Sequence, residues 1–162
     1  MDPFEQIYRR SSGKVYRYLL SLCGDRDLAE ELTAETFYRA YLHIDRFEGR
    51  CSVDTWLCEI GKNIWLESVR KGKRFVPLEE GAIRPQDAPF WQKMEDREQA
   101  LQLHKALHAL REPYREVFSL KVFGELKFSE IAQIFGKSES WAKMTYYRGK
   151  SKLLAMLEVE EQ

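Results

Sequence analysis

The stretch Phe128 to Lys152, FSEIAQIFGKSESWAKMTYYRGKSK, carries the spacing of a helix-turn-helix, and few folds accommodate that pattern. Ala132 is small where two helices must cross closely, and Gly136 follows four residues later where the turn needs a relaxed backbone. Ala142 lies ten residues beyond Ala132, on the expected inner face of the second helix. Ser138 is placed to cap that helix. From the cap onward Lys143, Arg148, Lys150 and Lys152 oppose a single acid, Glu139, while Ala142 and Tyr146 can pack inward. An ordinary helical hairpin with a solvated basic face would also fit. The combination of spacing, cap and one-sided charge points to DNA.

The bulk properties narrow the classes. A chain of 162 residues with a hydrophobic fraction of 44% can bury one core or two small ones, which excludes a disordered tail. Net charge is zero, so the molecule lacks the basic excess of a protein that coats nucleic acid unaided. Charge is segregated instead: Asp25 to Glu35 holds five acids against Arg26, and Lys62 to Arg74 holds five bases against Glu67. Cys23, Cys51 and Cys58 form no CxxC pair, which argues against a disulfide framework and a four-cysteine zinc site and fits a reducing cytoplasm. The N-terminal MDPFEQIYRR has no apolar signal core, and no run of about 18 apolar residues appears, so secretion and membrane insertion are not expected.

Nearly every segment reads as helix. Phe4 to Leu22 is amphipathic, and Asp27 with Glu30 is expected to open a second helix as a capping box, with Leu28, Leu32 and Phe37 as its apolar stripe. Gly49 and its polar neighbours mark a loop, after which Ser52 caps a third helix with Val53, Leu57, Ile60 and Ile64 at helical spacing. Pro77, Gly81, Pro85 and Pro89, mixed with Glu79, Glu80 and Asp87, read as an acidic linker. Beyond it, Leu101, Ala106, Leu107 and Leu110 share one helix, and Pro113 opens another through Val117 and Leu120. The fold class is therefore all-α, with a helical domain over 1–75, a linker over 76–95 and a second helical domain over 96–162.

The front segment DLAEELTAETFYRAYLHIDRFEGRCSVDTWLCEIGKNIWLESVRK and the back segment LREPYREVFSLKVFGELKFSEIAQIFGKS, in this order and spacing, resemble the sigma-2 and sigma-4 domains of the extracytoplasmic-function (ECF) group of bacterial sigma factors. The resemblance implies a non-enzymatic initiation factor that brings RNA polymerase core to promoter DNA, with no cofactor. It also implies cytoplasmic sequestration by an anti-sigma factor, often membrane-anchored. By the same resemblance Glu31, Leu32, Glu35, Thr36 and Arg39 would dock on polymerase, although acids near a helix start are also stabilising in themselves.

Phe47, Glu48, Gly49, Arg50, Cys51, Ser52, Lys62 and Asn63 would hold the minus-10 element as a single strand. Unstacked bases need apolar or aromatic walls and polar groups for their edges, and this set supplies both. Trp56 and Trp65 are either stacking platforms or core. Lys121, Lys127, Ser140, Trp141, Lys143, Met144 and Arg148 would contact the minus-35 element. Lys127 stands where relatives carry a capping Ser, Trp141 replaces a small polar residue and Ala142 a larger aliphatic, which implies altered promoter preference.

His104 and His108 lie four apart, but HKALH lacks the glutamate of HExxH and no third ligand is evident, so a solvated helix face is expected and no metal. Cys51 and Cys58 are read as packing residues rather than redox switches. The rival function is a self-sufficient helix-turn-helix regulator with an N-terminal sensing or dimerising domain, which would need two half-sites and a dimer interface.

Overall fold

The computed structural model describes residues 3–72 and 97–161, with seven α-helices, one short 3-10 turn over Ile44–Arg46 and no strand among them. The expected linker at 76–95 and the domain boundaries lie outside the described residues.

The front block is built from α1 (Pro3–Cys23), α2 (Arg26–Leu42) and α3 (Val53–Arg70). On α1 the buried Val15, Tyr18, Leu19 and Leu22 keep one face inward. Gly24, with φ +71°, ends that helix, and the chain re-enters helix at once. The cap of α2 is consequently Asp25 rather than the expected Asp27: its Oδ1 accepts from the backbone N–H groups of Asp27 at 2.9 Å and Leu28 at 3.2 Å. The cap moved two residues because the left-handed glycine puts the extended backbone at position 25.

The inner face of α2 is Ala29, Leu32, Thr33, Thr36, Phe37 and Ala40. The two threonines enter the core at low cost because their hydroxyls donate to Ala29 O at 2.6 Å and Leu32 O at 2.7 Å. Ser52 caps α3 as expected, accepting from Thr55 N at 3.1 Å. Helix α3 crosses the other two at Gly61, where an added Cβ would stand 3.4 Å from Thr36 Oγ1 and 3.5 Å from a Leu19 methyl.

The back block comprises α4 (Arg97–Ala109), α5 (Tyr114–Val122), α6 (Phe128–Phe135) and α7 (Glu139–Glu161). Leu103, Leu107, Leu110, Val117, Leu120, Leu126, Ile131 and Leu153 are its buried aliphatics. The expectation that His104 lies on a solvated face is overturned. It is 2% exposed and stacks on Phe123 with ring centroids 5.7 Å apart. Between Leu103 and Leu107 the ring serves as a flat apolar filler, and burial pushes its pKa down to about 3. His108 is half-buried and also shifted down, by burial first and then by Arg115 and His104. Among the described residues no three His, Cys, Asp or Glu are grouped to hold a metal ion.

A pH dependence follows. The unfolded chain protonates His104 as pH falls through its ordinary value of 6.5, whereas the folded chain resists until about 3, so stability declines on acidification. Urea unfolding at about pH 7 and about pH 5.5 should show a smaller decline for His104→Phe than for the parent chain. Equal declines would mean that His104 does not titrate differently on folding.

The two blocks pack together, and their buried side chains form one continuous cluster. Helix α1 meets α5, and α3 meets α6. Cys58 Sγ lies against Gly124, 3.5 Å from where a Cβ on that glycine would stand. Arg17 Nη2 faces Glu125 Oε2 at 3.7 Å.

Candidate nucleic-acid interface

The helix-turn-helix forms as the spacing requires. Gly136 takes φ +65° at the end of α6, and its N–H and that of Lys137 close the turn onto Gln133 O and Ala132 O. Ser138 Oγ accepts from Trp141 N at 3.1 Å, which caps α7. Ala132 and Ala142 are both buried where the helices cross, at 4% and 0% exposure. Tyr146 stacks on Phe118 at 5.8 Å and turns the opposite side of α7 outward.

That outward side carries most of the predicted minus-35 set. Ser140, Lys143, Met144 and Arg148 are exposed, as is Lys127 at the start of α6. Arg148 and Met144 line a shallow groove of about 640 Å³ with Tyr114, Tyr147, Ser151 and Lys152. Two members of the set are partly engaged. The Lys121 ammonium sits 4.4 Å from the Phe128 ring centroid, and Trp141 is half-buried with its ring 5.3 Å from that of Phe135. Trp141 thus fills space beside Ala142. Without a capping hydroxyl at Lys127, the start of α6 is held from the other end, Lys127 N donating to Glu130 Oε1 at 2.9 Å.

Of the predicted minus-10 residues, the loop tip and Asn63 are free, whereas Phe47, Ser52 and Lys62 are engaged by other side chains. Glu48, Gly49, Arg50 and Asn63 are exposed, and Arg50 pairs with Glu48 at 2.9 Å in open solvent. Gly49 takes φ +74°, which explains why glycine stands at the loop tip. Phe47 packs on Trp56 with centroids 4.9 Å apart, and both rings are partly buried. Trp65 is core, 4% exposed. Cys51 is half-exposed, whereas Cys58 is buried, and burial raises the pKa of both thiols.

Ser52 and Lys62 meet the back block. Ser52 Oγ donates to Glu130 Oε2, and Thr55 Oγ1 donates to the same oxygen at 2.6 Å. Lys62 Nζ lies 3.9 Å from the Phe135 ring centroid and 3.6 Å from Glu116 Oε2. Partial burial works against ionisation of Glu130, but the hydrogen bonds from Ser52, Thr55 and Lys127 N outweigh it and hold the carboxyl below its ordinary value. Burial raises Glu116 most, and neighbouring Glu112 adds to it, partly offset by Lys62.

The predicted polymerase set needs correction. Leu32 and Thr36 are core residues, at 2% and 0% exposure, so they offer no docking surface. Glu31 is exposed. Arg39 Nη2 bridges Glu35 at 2.8 Å and Glu67 at 3.1 Å, tying α2 to α3, and the hydrogen bond from Arg39 lowers the pKa of Glu67. The exposed apolar residues beside this network are Tyr38, Tyr41 and Leu42 on α2 and Leu66 and Val69 on α3, none anticipated from the sequence. The signal was present: all three α2 residues fall out of phase with the buried stripe. Thr55, Glu116, Glu130 and Phe135 were missed for a different reason, since they act across the two blocks.

Residues 7–75 match the Sigma-70 region 2 family and residues 100–153 match Sigma-70, region 4. The chain is 31% identical to the ECF RNA polymerase sigma factor SigM of Bacillus subtilis over 94% of its own length and 93% of that protein. To SigW, another ECF RNA polymerase sigma factor of the same organism, it is 27% identical over 96% of its own length and 89% of that protein. The fold is shared with the sigma factor RpoE of Bartonella quintana, solved in complex with the anti-sigma factor NepR, at a TM-score of 0.79 and 24% identity over 98% of this chain and 99% of that one. A helix-turn-helix with an outward basic face, a three-helix block ahead of it and end-to-end similarity to SigM together place the chain: it belongs to the ECF group of RNA polymerase sigma factors.

Proposed function

We propose that this sigma factor divides promoter recognition between its blocks, with the outer face of α7 on the minus-35 duplex and the loop 47–52, with Lys62 and Asn63, on the melted minus-10 strand. The observation that carries the proposal is the exposed row Ser140, Lys143, Met144 and Arg148 on a capped helix whose opposite face is fixed in the core. Arg can bond a guanine edge through two N–H groups, and Lys contributes a point charge to a base edge or phosphate. The polymerase surface is assigned to Glu31, the Glu35–Arg39–Glu67 network and the exposed Tyr38, Tyr41 and Leu42. Sigma factors are non-catalytic initiation factors, and the chemistry belongs to the polymerase. An anti-sigma partner and a cytoplasmic site of action are part of the same proposal. No described helix is long and apolar enough to cross a membrane.

The test is in vitro transcription with bare core polymerase, with and without this protein, on templates carrying randomised minus-35 sequences. Lys143→Ala or Arg148→Ala should cost about 1–3 kcal/mol in minus-35-dependent initiation where the lost contact is to a base edge, with relaxed preference at that position. A phosphate contact should instead weaken all sequences alike and reduce the salt dependence. If neither substitution changes activity or preference, α7 is not the reading helix.

A further inference from the structure

We propose that the groove beside the outer face of α7 holds the phosphate backbone of the minus-35 duplex, through Tyr114, Ser151 and Lys152. This rests on the proposed minus-35 role of that face. The groove continues the reading row without a break, since Met144 and Arg148 belong to both and Tyr147, Ser151, Lys152 and Tyr114 extend it. On α7 the exposed Ser140, Met144, Tyr147 and Ser151 recur at the three- and four-residue spacing that keeps them on one side. Eleven residues separate Ser140 from Ser151, a rise of about 16 Å along the helix. The major groove is only about 12 Å wide. A helix whose first turns read base edges near Ser140 and Lys143 has therefore left the major groove by Ser151, and the phosphate chain is what stands at the rim.

The lining suits that chain. It offers two cations, two phenols and a serine hydroxyl, and none of its six residues is acidic. Phosphate oxygens accept from Lys, Ser and Tyr alike and carry no sequence information, so contacts here fix the register of α7 on the duplex rather than specify a base. The parts are also set in place beforehand. Helix α7 crosses the start of α5 at Gly149, where an added Cβ would stand 3.2 Å from Tyr114 Cβ and 3.5 Å from Tyr114 O, which fixes Tyr114 beside the turn that carries Ser151 and Lys152. The Lys152 ammonium lies 5.2 Å from the Tyr114 ring centroid, an attraction that holds the charge over the groove. Ser151 and Lys152 are both exposed, so neither is needed for the core. Each phosphate neutralised adds about −0.9 to the slope of log affinity against log salt, which makes one contact worth about fivefold at about 0.15 M salt relative to about 1 M.

The experiment uses holoenzyme, assembled from core polymerase and the full chain, and measures its binding to a promoter duplex across a salt series. Lys152→Gln should bind about fivefold more weakly at about 0.15 M salt, make the salt slope shallower by about 0.9 and leave the preferred minus-35 bases unchanged. Lys152→Arg should restore both affinity and slope, because the phosphate meets the charge. Tyr114→Phe, which removes only a hydroxyl, should weaken binding by a smaller factor at unchanged slope. Neutral methylphosphonate linkages placed singly along both strands beside the minus-35 element locate the contact: the linkage that weakens the parent should cost the Lys152→Gln holoenzyme little more. If every linkage weakens parent and variant alike, the proposal is overturned. A change in the preferred bases overturns it too, since Lys152 would then be on a base edge. Full affinity and slope for Lys152→Gln, while Lys143→Ala relaxes base preference, would remove the backbone contact and leave the reading face standing. If Lys143→Ala and Arg148→Ala are silent as well, the minus-35 role of α7 fails with it.

Discussion

Leu57→Ala is expected to lower the unfolding free energy by about 2–5 kcal/mol, a large share of what a small domain possesses. Leu57 is fully buried on α3, one turn before Gly61, at the point where α3 comes nearest α1 and α2. Truncation there removes apolar surface and leaves a cavity that three close-crossing helices cannot collapse around. Leu66→Ala, nine residues on and 39% exposed, should change stability by no more than about 0.5 kcal/mol. Urea titrations of both variants and of Leu107→Ala, buried in the back block, measure more than the cavity. Because both blocks share one cluster of buried side chains, Leu57→Ala and Leu107→Ala should shift a single transition by similar amounts at unchanged slope. Two separable transitions, each responding to one substitution, would show that the interface adds little to stability. A loss below about 1 kcal/mol for Leu57→Ala would contradict its placement in the core.

What the sequence made legible was local. Helical periodicity located α1, α3 and the helix-turn-helix, and Ser52 and Ser138 were identified as caps because a side-chain oxygen three residues before its donor is a short-range pattern. Gly136 was legible because a left-handed turn excludes most other residues. The errors also share a cause. Asp25 displaced Asp27 as cap because Gly24 ended α1 a residue before it, a matter of backbone geometry that composition does not encode. His104 looked like a surface histidine, and only the position of Phe123 decides that it is core. Leu32 and Thr36 were assigned to a partner by resemblance, while the α2 stripe containing them is the one that faces α1 and α3. The contacts of Glu130 with Ser52 and Thr55 span 78 and 75 residues of chain, far beyond any window in which periodicity or capping carries information.

Loop variants should impair transcription from duplex templates more than from templates with a preformed minus-10 bubble. If residues 47–52 hold an extruded base, their contribution is spent against unstacking and unpairing, which costs a few kcal/mol on duplex and is already met where the strands are mismatched. The choice of substitution matters. Ser52→Ala is a poor probe, because Ser52 caps α3 and also binds Glu130, so its loss would cost about 0.5–2 kcal/mol of helix stability and disturb the contact between blocks. Phe47 is unsuitable alone, since its ring supports Trp56. Arg50 is the clean position. Its side chain is 84% exposed, it pairs with Glu48 on the same loop, and its contact with Gln133 uses the backbone carbonyl, which substitution preserves. Arg50→Ala should therefore leave the fold unchanged and reduce initiation on duplex by an amount on the order of tenfold, with a smaller loss on the bubble. Replacing Glu48 to Cys51 with a different loop, while keeping Gly49 for its positive φ and Ser52 for its cap, should also change which minus-10 bases are preferred. Equal losses on both templates with unchanged preference would place the loop in polymerase docking or folding, and the melted strand would have to be held elsewhere.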